Sequence, residues 1–284
     1  MQRDFCLGSK WLYYKIYTGV KTSDYILLEK LRPIILKLER KKIITKWFFI
    51  RYKDTDQHLR IRFLLKNTNN LAVAIQSFHT VLNELLQQNL IWKIQTDTYN
   101  REIERYGVNT ISDSEYLFWK DSKMMLQYIK IKASFTKKET PLLFSFLAID
   151  SFLDSFQLSN QEKLSLMDDL QNSFKTEFES DKTQKKDLSR NYRMVCPQMQ
   201  SLLSDMPSDN YSEMHKIVNK KSSKIIARSI EIKTKIEVSL QNFLASHIHM
   251  MINRQYNSNQ RLYELIIYDH LFRFYKSLNY QILN

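Results

Sequence analysis

The pattern of apolar and polar positions in the first hundred residues alternates between the spacing of strands and that of helices. Stretches rich in aromatic and β-branched residues predict strands at residues 11–17, 46–52, 57–65 and 91–96. Apolar residues recur at helical spacing after Thr22 or Ser23 and again after Asn69 or Asn70. The order βαββαβ is typical of the split-βαβ (ferredoxin-like) fold, in which two helices cover one face of a four-stranded antiparallel sheet.

From Asp113 onward the pattern predicts helices and no comparable strand. The predicted helices lie at residues 115–128, 141–156, 160–178, about 212–256 and 260–278, with one more after a polar stretch at residues 179–190. Within that stretch, the Lys-rich residues 182–186 are interpreted as a solvated loop. We therefore predict an α+β protein, with an α+β subdomain at residues 1–107 and an all-helical subdomain packed against it at residues 108–284.

The predicted strand at residues 57–65 carries His58, Arg60 and Arg62 on one face and the apolar residues Leu59, Ile61 and Phe63 on the other. If the apolar face packs under the helices, the three polar side chains point out of the sheet. Guanidinium groups match the geometry of carboxylates and phosphates and keep their proton, so this face predicts an anion-binding surface. A strand face that is merely solvated is the alternative.

A second charged group follows the last predicted strand. Tyr99, Glu102 and Arg105 recur at three-residue spacing and would line one side of a turn or helix. Glu102 is suited to act as a base or to orient an arginine. The alternative is a local ion pair of Glu102 with Arg101 or Arg105, worth under about 1 kcal/mol when exposed.

A third group lies near the end of the helix predicted at residues 212–256. Ser246, His249 and Asn253 are about one helical turn apart and form a polar stripe on an apolar helix. A histidine with a pKa of about 6.5 can transfer a proton near neutral pH. A hydrogen-bonded core histidine is the alternative. His247 and His249 do not face each other on a helix, so metal binding by that pair is not expected.

Charge and composition limit the classes of function. The 43 Lys and Arg against 30 Asp and Glu give a net charge of +13, which favours an anionic partner, although scattered lysine also accounts for it. With only Cys6 and Cys196, neither a disulfide framework nor a cysteine zinc site is predicted, and a reducing cytoplasm fits. The N-terminus lacks a signal sequence and no apolar run is long enough to predict a membrane span.

Motifs for several common enzyme classes do not occur. The chain has 3 glycines and no Walker-type or dinucleotide fingerprint, so nucleotide binding by a standard loop is not expected. No GxSxG or HExxH motif supports a hydrolase or zinc protease. Nucleic-acid binding by such a sheet requires aromatic residues on its open face, but this strand carries His58, Arg60 and Arg62 there. Nucleic-acid binding is therefore not expected.

Several stretches taken together, at residues 8–17, 47–52, 58–63, 99–107 and 246–254, resemble the thiopeptide-type bacteriocin biosynthesis family. That family is similar to the C-terminal glutamate-elimination domain of class I lantibiotic dehydratases. In such dehydratases a separate, larger domain glutamylates Ser or Thr of a precursor peptide from glutamyl-tRNA. The elimination domain then removes the α-proton and expels glutamate, which leaves dehydroalanine or dehydrobutyrine.

The resemblance implies roles for named residues. Arg60 and Arg62 would hold the departing glutamate, Glu102 and Arg105 would complete the charged site, and His249 would transfer a proton. Substrate contacts would come from Arg51, His58, Tyr99, Asn253 and Arg254. Neither a metal nor an organic cofactor is implied. We expect the sheet arginines and His249 to meet in one cleft that binds a small dicarboxylate.

The resemblance also implies partners. The larger glutamylating domain is not in this sequence, so it implies a stand-alone elimination subunit of a split dehydratase. Such a subunit would act on a glutamylated precursor peptide, depend on a separate glutamylating subunit and not bind tRNA directly, with a homodimer left open as its assembly. Two alternatives stay open: a pyridine synthase-like enzyme that joins two dehydrated residues in a formal cycloaddition, and a non-catalytic subunit that binds the precursor peptide.

Overall fold

The computed structural model describes residues 1–135, 139–178, 182–204 and 209–282. They form two compact units, Met1–Lys130 with Asn253–Ser258 and Ile131–Ile252 with Asn259–Asn284. The first is mixed and the second is helical, which confirms the predicted α+β class.

The first unit is built around an antiparallel sheet. The strands of the unit are β1 (Asp4–Phe5), β2 (Trp11–Thr18), β3 (Ile44–Lys53), β4 (Gln57–Leu65), β5 (Ile91–Thr96) and β6 (Tyr99–Asn100). Its helices are α1 (Ser23–Tyr25), a π-helical stretch (Ile26–Leu31), α2 (Arg32–Arg40), α3 (Leu71–Gln87), α4 (Ile103–Tyr106) and α5 (Ile111–Ile131). Four strands are ordered β3-β4-β2-β5, with every neighbouring pair antiparallel. This is the predicted split-βαβ arrangement.

The two faces of β4 separate as the alternation predicts. Leu59, Ile61 and Phe63 are buried, and the Phe63 ring lies 4.7 Å from the Phe78 ring of α3. The apolar set therefore packs under a helix. The arginines of β4 lie on the opposite face, where α3 does not cover the sheet.

The first unit continues past residue 107, where we expected the subdomain boundary. The reason is that α5 packs on the sheet. Its Phe118 ring lies 5.3 Å from the Phe48 ring, and the Ser122 hydroxyl accepts a 3.2 Å hydrogen bond from the Phe49 N–H.

The first predicted helix changes its buried face along its length. Tyr25, the first aromatic residue after Ser23, is 43% exposed, whereas Ile26, Leu27 and Leu31 are buried. The π-helical stretch widens the turn just before Pro33, which has no N–H to donate, and so rotates the apolar stripe.

The short strands β1 and β6 pair with each other and were not predicted. Phe5 is opposite Tyr99 in the register, and their rings stack with centroids 5.9 Å apart. Tyr99 thus lies in a strand, and the expected single turn or helix with Glu102 and Arg105 begins only after it.

The second unit is a set of packed helices. Within the described residues they are α6 (Thr140–Ser155), α7 (Asn160–Glu177), α8 (Lys182–Leu202), α9 (Ser212–Lys235), α10 (Leu240–Gln255, whose last residues belong to the first unit) and α11 (Gln260–Ile282). None of the helices in the described part of the chain is long and apolar enough to cross a membrane.

Two helix predictions in this unit were wrong in part. The single helix expected over residues 212–256 is broken between Lys235 and Leu240, where the Ser239 carbonyl accepts the N–H of Phe243 at 3.0 Å and begins α10. The predicted loop at residues 182–186 is instead the largely exposed first part of α8, whose first buried residue is Leu188. Residues 179–181 of the predicted polar stretch lie outside the described residues.

Candidate active site

Arg62 lies in an aromatic enclosure on the sheet face opposite α3. Its guanidinium carbon is 4.2 Å from the ring centroid of Tyr13, 5.0 Å from that of Tyr99 and 5.4 Å from that of Phe48. Burial lowers the pKa of Arg62. Its Nε is buried without a hydrogen-bond partner, and no described carboxylate forms an ion pair with it. A partly buried cation with a buried N–H that has no partner is suited to receive an anion.

Arg60 is held on the same face by its neighbours. Its Nε donates to His58 Nε2 over 3.1 Å, and its guanidinium carbon stacks 3.4 Å from the Tyr52 ring centroid. Among the described residues, no other group takes a hydrogen bond from its two terminal nitrogens. Arg60 therefore presents the end of its guanidinium fork to a ligand.

His58, the third polar side chain of this face, is buried and its ring is neutral. It is 2% exposed, its Nδ1 is 2.9 Å from the Asp56 carbonyl oxygen and its Nε2 faces the Nε–H of Arg60. These partners require a proton on Nδ1 and a lone pair on Nε2. Burial lowers the pKa of His58, which also favours the neutral ring. His58 thus positions Arg60 and does not itself face a substrate.

Lys15 supplies a further cation that the sequence analysis missed. It lies on β2 directly opposite Arg60, and its Nζ is 2.5 Å from a carboxylate oxygen of Asp97. The hydrogen bond that Lys15 donates to Asp97 raises the pKa of Lys15. The sequence did contain an indication of this position, because the alternation of side chains along β2 puts Lys15 on the same face as Tyr13.

Glu102 and Arg105 form the local ion pair that was the alternative for this motif. Arg105 Nε is 3.1 Å from Glu102 Oε2, with side chains 55% and 61% exposed. Glu102 also reaches Arg62 electrostatically: burial lowers the pKa of Arg62, and the charge of Glu102 opposes that shift. The structure therefore places Glu102 in the electrostatic surroundings of Arg62, and Arg105 pairs with Glu102.

Tyr99 forms a wall of the Arg62 enclosure. Its hydroxyl donates to Glu115 Oε1 at 3.2 Å, and Arg101 binds the same carboxylate through two nitrogens at 2.7 and 2.9 Å. Burial raises the pKa of Tyr99 well above its ordinary value. Because its hydroxyl is already used, Tyr99 can offer its ring, not its hydroxyl, to the site.

Arg51, predicted to contact the substrate, is instead bound within the fold. It is 3% exposed, and its guanidinium donates to Asp24 Oδ1 at 2.5 Å and to the Ser23 hydroxyl at 2.7 Å. Burial lowers the pKa of Arg51, and the charge of Asp24 opposes that shift. An arginine whose fork is filled by a buried carboxylate is not available to a ligand.

Asn253 and Arg254, also predicted to contact the substrate, bind the outer backbone groups of β3. The Asn253 amide accepts the Arg51 N–H at 2.9 Å and donates to the Arg51 carbonyl at 2.8 Å. Arg254 donates to the Phe49 carbonyl at 2.8 Å and to Asp121 at 3.0 Å. Both side chains stabilise the edge of the sheet.

His249, in the second unit, is oriented by a buried carboxylate. Its Nδ1 is 2.5 Å from Oε1 of Glu264, which is 1% exposed and also accepts hydrogen bonds from Tyr268 at 3.1 Å and Arg261 at 3.0 Å. The His249 side chain is 32% exposed, and Nε2 has no partner among the described residues. An imidazole held at Nδ1 with an available Nε2 is arranged for proton transfer.

Glu264 was not among the residues predicted from the sequence. It lies on α11, 15 residues beyond His249, so no local spacing connects the two. In the part of the chain that the structure describes, no three His, Cys, Asp or Glu side chains are placed to hold a metal ion. That all five predicted catalytic residues share one cleft stays a prediction.

The sequence comparisons identify relatives of this chain. The family described as lantibiotic biosynthesis dehydratase C-term matches residues 11–275. The subtilin biosynthesis protein SpaB of Bacillus subtilis is 29% identical over 182 residues, which are 61% of this chain and 17% of SpaB. The nisin biosynthesis protein NisB of Lactococcus lactis subsp. lactis is 28% identical over 168 residues, 56% of this chain and 16% of NisB. The matched region thus spans only 17% and 16% of these relatives.

Solved structures share the fold. The tRNA dependent lantibiotic dehydratase MibB from Microbispora sp. 107891 superposes with a TM-score of 0.76 and 18% identity, over 98% of this chain and 29% of MibB. The pyridine synthase TbtD from thiomuracin biosynthesis superposes with a TM-score of 0.65 and 11% identity, over 96% of this chain and 100% of TbtD. At these identities the likeness extends to the fold alone.

Proposed function

The chain belongs to the lantibiotic dehydratase C-terminal family, and we propose that it acts as a lyase that eliminates glutamate from glutamylated Ser or Thr of a ribosomal precursor peptide. The products would be dehydroalanine and dehydrobutyrine. The observation that carries this proposal is Arg62, whose Nε is buried without a hydrogen-bond partner and whose guanidinium lies with Arg60 on the sheet face opposite α3. A departing glutamate carboxylate would supply the missing anion.

The reaction requires a base and a cation at different atoms of the substrate. The base takes the α-proton of the glutamylated residue, the freed electron pair forms the Cα=Cβ bond, and the Cβ–O bond breaks. We assign the base to Nε2 of His249, with Glu264 fixing the ring. Arg60 and Arg62 would neutralise the carboxylate that forms on the leaving glutamate. Because that charge develops during bond cleavage, these contacts favour the transition state over the bound substrate.

Glu102 and Arg105 would adjust the field at this site. Glu102 partly balances the positive charge of Arg62, and the exposed pair lies where a peptide can reach it. The substrate would come from a separate glutamylating subunit, so this chain would need no tRNA contact of its own. The elimination requires no change in oxidation state, so no redox cofactor is needed.

The proposal is tested with a synthetic peptide that carries glutamyl-Ser or glutamyl-Thr. Incubation with the full chain should release free glutamate and leave a peptide lighter by one glutamic acid, followed by mass spectrometry. The glutamylating partner is added in a parallel reaction. Intact glutamyl-peptide in both reactions would contradict the proposal.

A second candidate function is a pyridine synthase-like cycloaddition, which the shared fold with TbtD over nearly the whole chain favours. It predicts that a peptide with two dehydrated residues is cyclised and its leader released, while glutamyl-Ser peptide is left unchanged. The two reactions give different masses, so one experiment with both peptides separates them.

A further inference from the structure

The pair formed by Lys15 and Asp97 lies beside Arg60 and has no role in the proposed elimination. Lys15 is opposite Arg60 in the strand register, and its Nζ is 2.5 Å from Asp97 Oδ2. Asp97 Oδ1 accepts the N–H of Thr98 at 2.7 Å. The surface next to Arg60 therefore offers a positive and a negative charge side by side.

The substrate of the proposed reaction carries two matching charges. An aminoacyl-tRNA holds its amino acid through the α-carboxyl group, so glutamate transferred from it is joined to Ser or Thr as an α-ester. The α-ammonium and the γ-carboxylate of that glutamyl group stay free. A site that selects glutamyl esters needs an anion for the ammonium and a cation for the γ-carboxylate, because a buried charge without a partner is costly.

We propose that Lys15 and Asp97 select the glutamyl group, Lys15 by binding its γ-carboxylate and Asp97 by binding its α-ammonium. This inference rests on the proposed function. It leaves Arg60 and Arg62 to the ester carboxylate that leaves, so that recognition and chemistry use different cations.

Both residues have the capacity for a second partner. Lys15 carries three N–H donors, and among the described residues Asp97 is its one hydrogen-bond partner. The Asp97 side chain is 42% exposed, and a carboxylate with one hydrogen bond at each oxygen can accept further ones. In the free protein each charge neutralises the other, so neither is left unpaired before the substrate binds.

The test compares three peptide esters of Ser: glutamyl, glutaryl, which lacks the ammonium, and glutaminyl, which lacks the γ-charge. The wild-type chain should prefer glutamyl over each of the others by about tenfold or more in kcat/KM, the effect expected for a lost hydrogen bond to a charged group. Asp97→Asn should reduce the glutamyl-to-glutaryl ratio to within about twofold of unity and keep the glutamyl-to-glutaminyl ratio. Lys15→Met should reduce the glutamyl-to-glutaminyl ratio in the same way and keep the glutamyl-to-glutaryl ratio.

Ratios of two substrates on one variant do not depend on how much of the protein is folded. Lys93→Met is the matched control, because Lys93 is an exposed lysine on β5 whose Nζ lies 5.1 Å from the Tyr17 ring centroid. It should keep both ratios. If Asp97→Asn and Lys15→Met still eliminate glutamate and both substrate ratios equal those of the wild type, this inference is overturned and the proposed function is not. Absence of elimination by the wild-type chain would overturn the proposed function itself.

Discussion

Nε of Arg60 donates to Nε2 of His58 over 3.1 Å, so the direction of one cation is fixed by the lone pair of a buried neutral imidazole. Protonation of His58 would set two N–H groups against each other. The orientation of Arg60 therefore depends on His58 remaining neutral.

We predict that this contact makes the protein less stable in acid. Burial lowers the pKa of His58 below its ordinary 6.5 in the folded chain, so near and below pH 6.5 the unfolded chain binds more protons. The contribution of His58 to the free energy of unfolding is full above about pH 6.5 and is lost as the pH falls through the folded pKa. Urea unfolding at a series of pH values should show a shallower acid loss in His58→Gln than in the wild type. Parallel curves would contradict the prediction.

We predict opposite consequences for two arginines of the same sheet. Arg62→Met should lower turnover by about a hundredfold or more and leave the free energy of unfolding within about 1 kcal/mol, because no carboxylate loses a partner. Arg51→Met should lower the free energy of unfolding by about 3 kcal/mol, because it removes the guanidinium that pairs with the buried Asp24 carboxylate. Denaturant titrations and single-turnover rates give both quantities. A large loss of stability in Arg62→Met would mean that Arg62 is structural.

We predict that Glu102 acts in function and contributes little to stability. Glu102→Gln should reduce turnover about tenfold with an unchanged denaturation midpoint, since its ion pair with Arg105 is exposed. Glu104→Gln is the matched control: Glu104 is also exposed and pairs with Arg3 at 2.7 Å, and its loss should alter neither quantity. If the chain binds the precursor peptide with a strong salt dependence, performs no chemistry and is indifferent to Glu102→Gln, it is the non-catalytic subunit instead.

We predict that His249 and Glu264 act as a unit. His249→Gln should lower kcat by about a hundredfold or more, and Glu264→Gln by at least about tenfold, with the double variant close to His249→Gln alone. Glu177→Gln is the control, because Glu177 also binds Arg261 but does not contact His249. Multiplicative losses in the double variant would show that the two residues act independently.

The sequence predicted the central sheet well because its signals are local. The bounds of β4 and β5 match the predicted ones, since alternation and flanking polar turns define them. The π-helical stretch was missed because it depends on how the chain accommodates Pro33. The β1–β6 pairing was missed because two-residue strands carry no periodicity.

The candidate site was predicted less completely than the fold. Arg60 and Arg62 were found because two arginines share one strand face. Glu264 and Asp97 were missed because their partners are distant in sequence, and the uses of Arg51, Asn253 and Arg254 depend on buried contacts that residue type alone does not determine.

The way Asn253 binds Arg51 limits how a peptide can approach the sheet. Its amide satisfies both main-chain groups of Arg51, as an adjoining strand would, and Arg254 and Ser122 occupy those of Phe49. An extended precursor therefore cannot lengthen the sheet by strand addition at these positions of β3. A peptide that adds to the sheet through main-chain hydrogen bonds would therefore bind at β5, the strand at the opposite edge. Asn253→Ala would leave the main-chain N–H and C=O of Arg51 without the Asn253 amide and so expose the edge of β3. We expect this variant to self-associate before any effect on catalysis is detected.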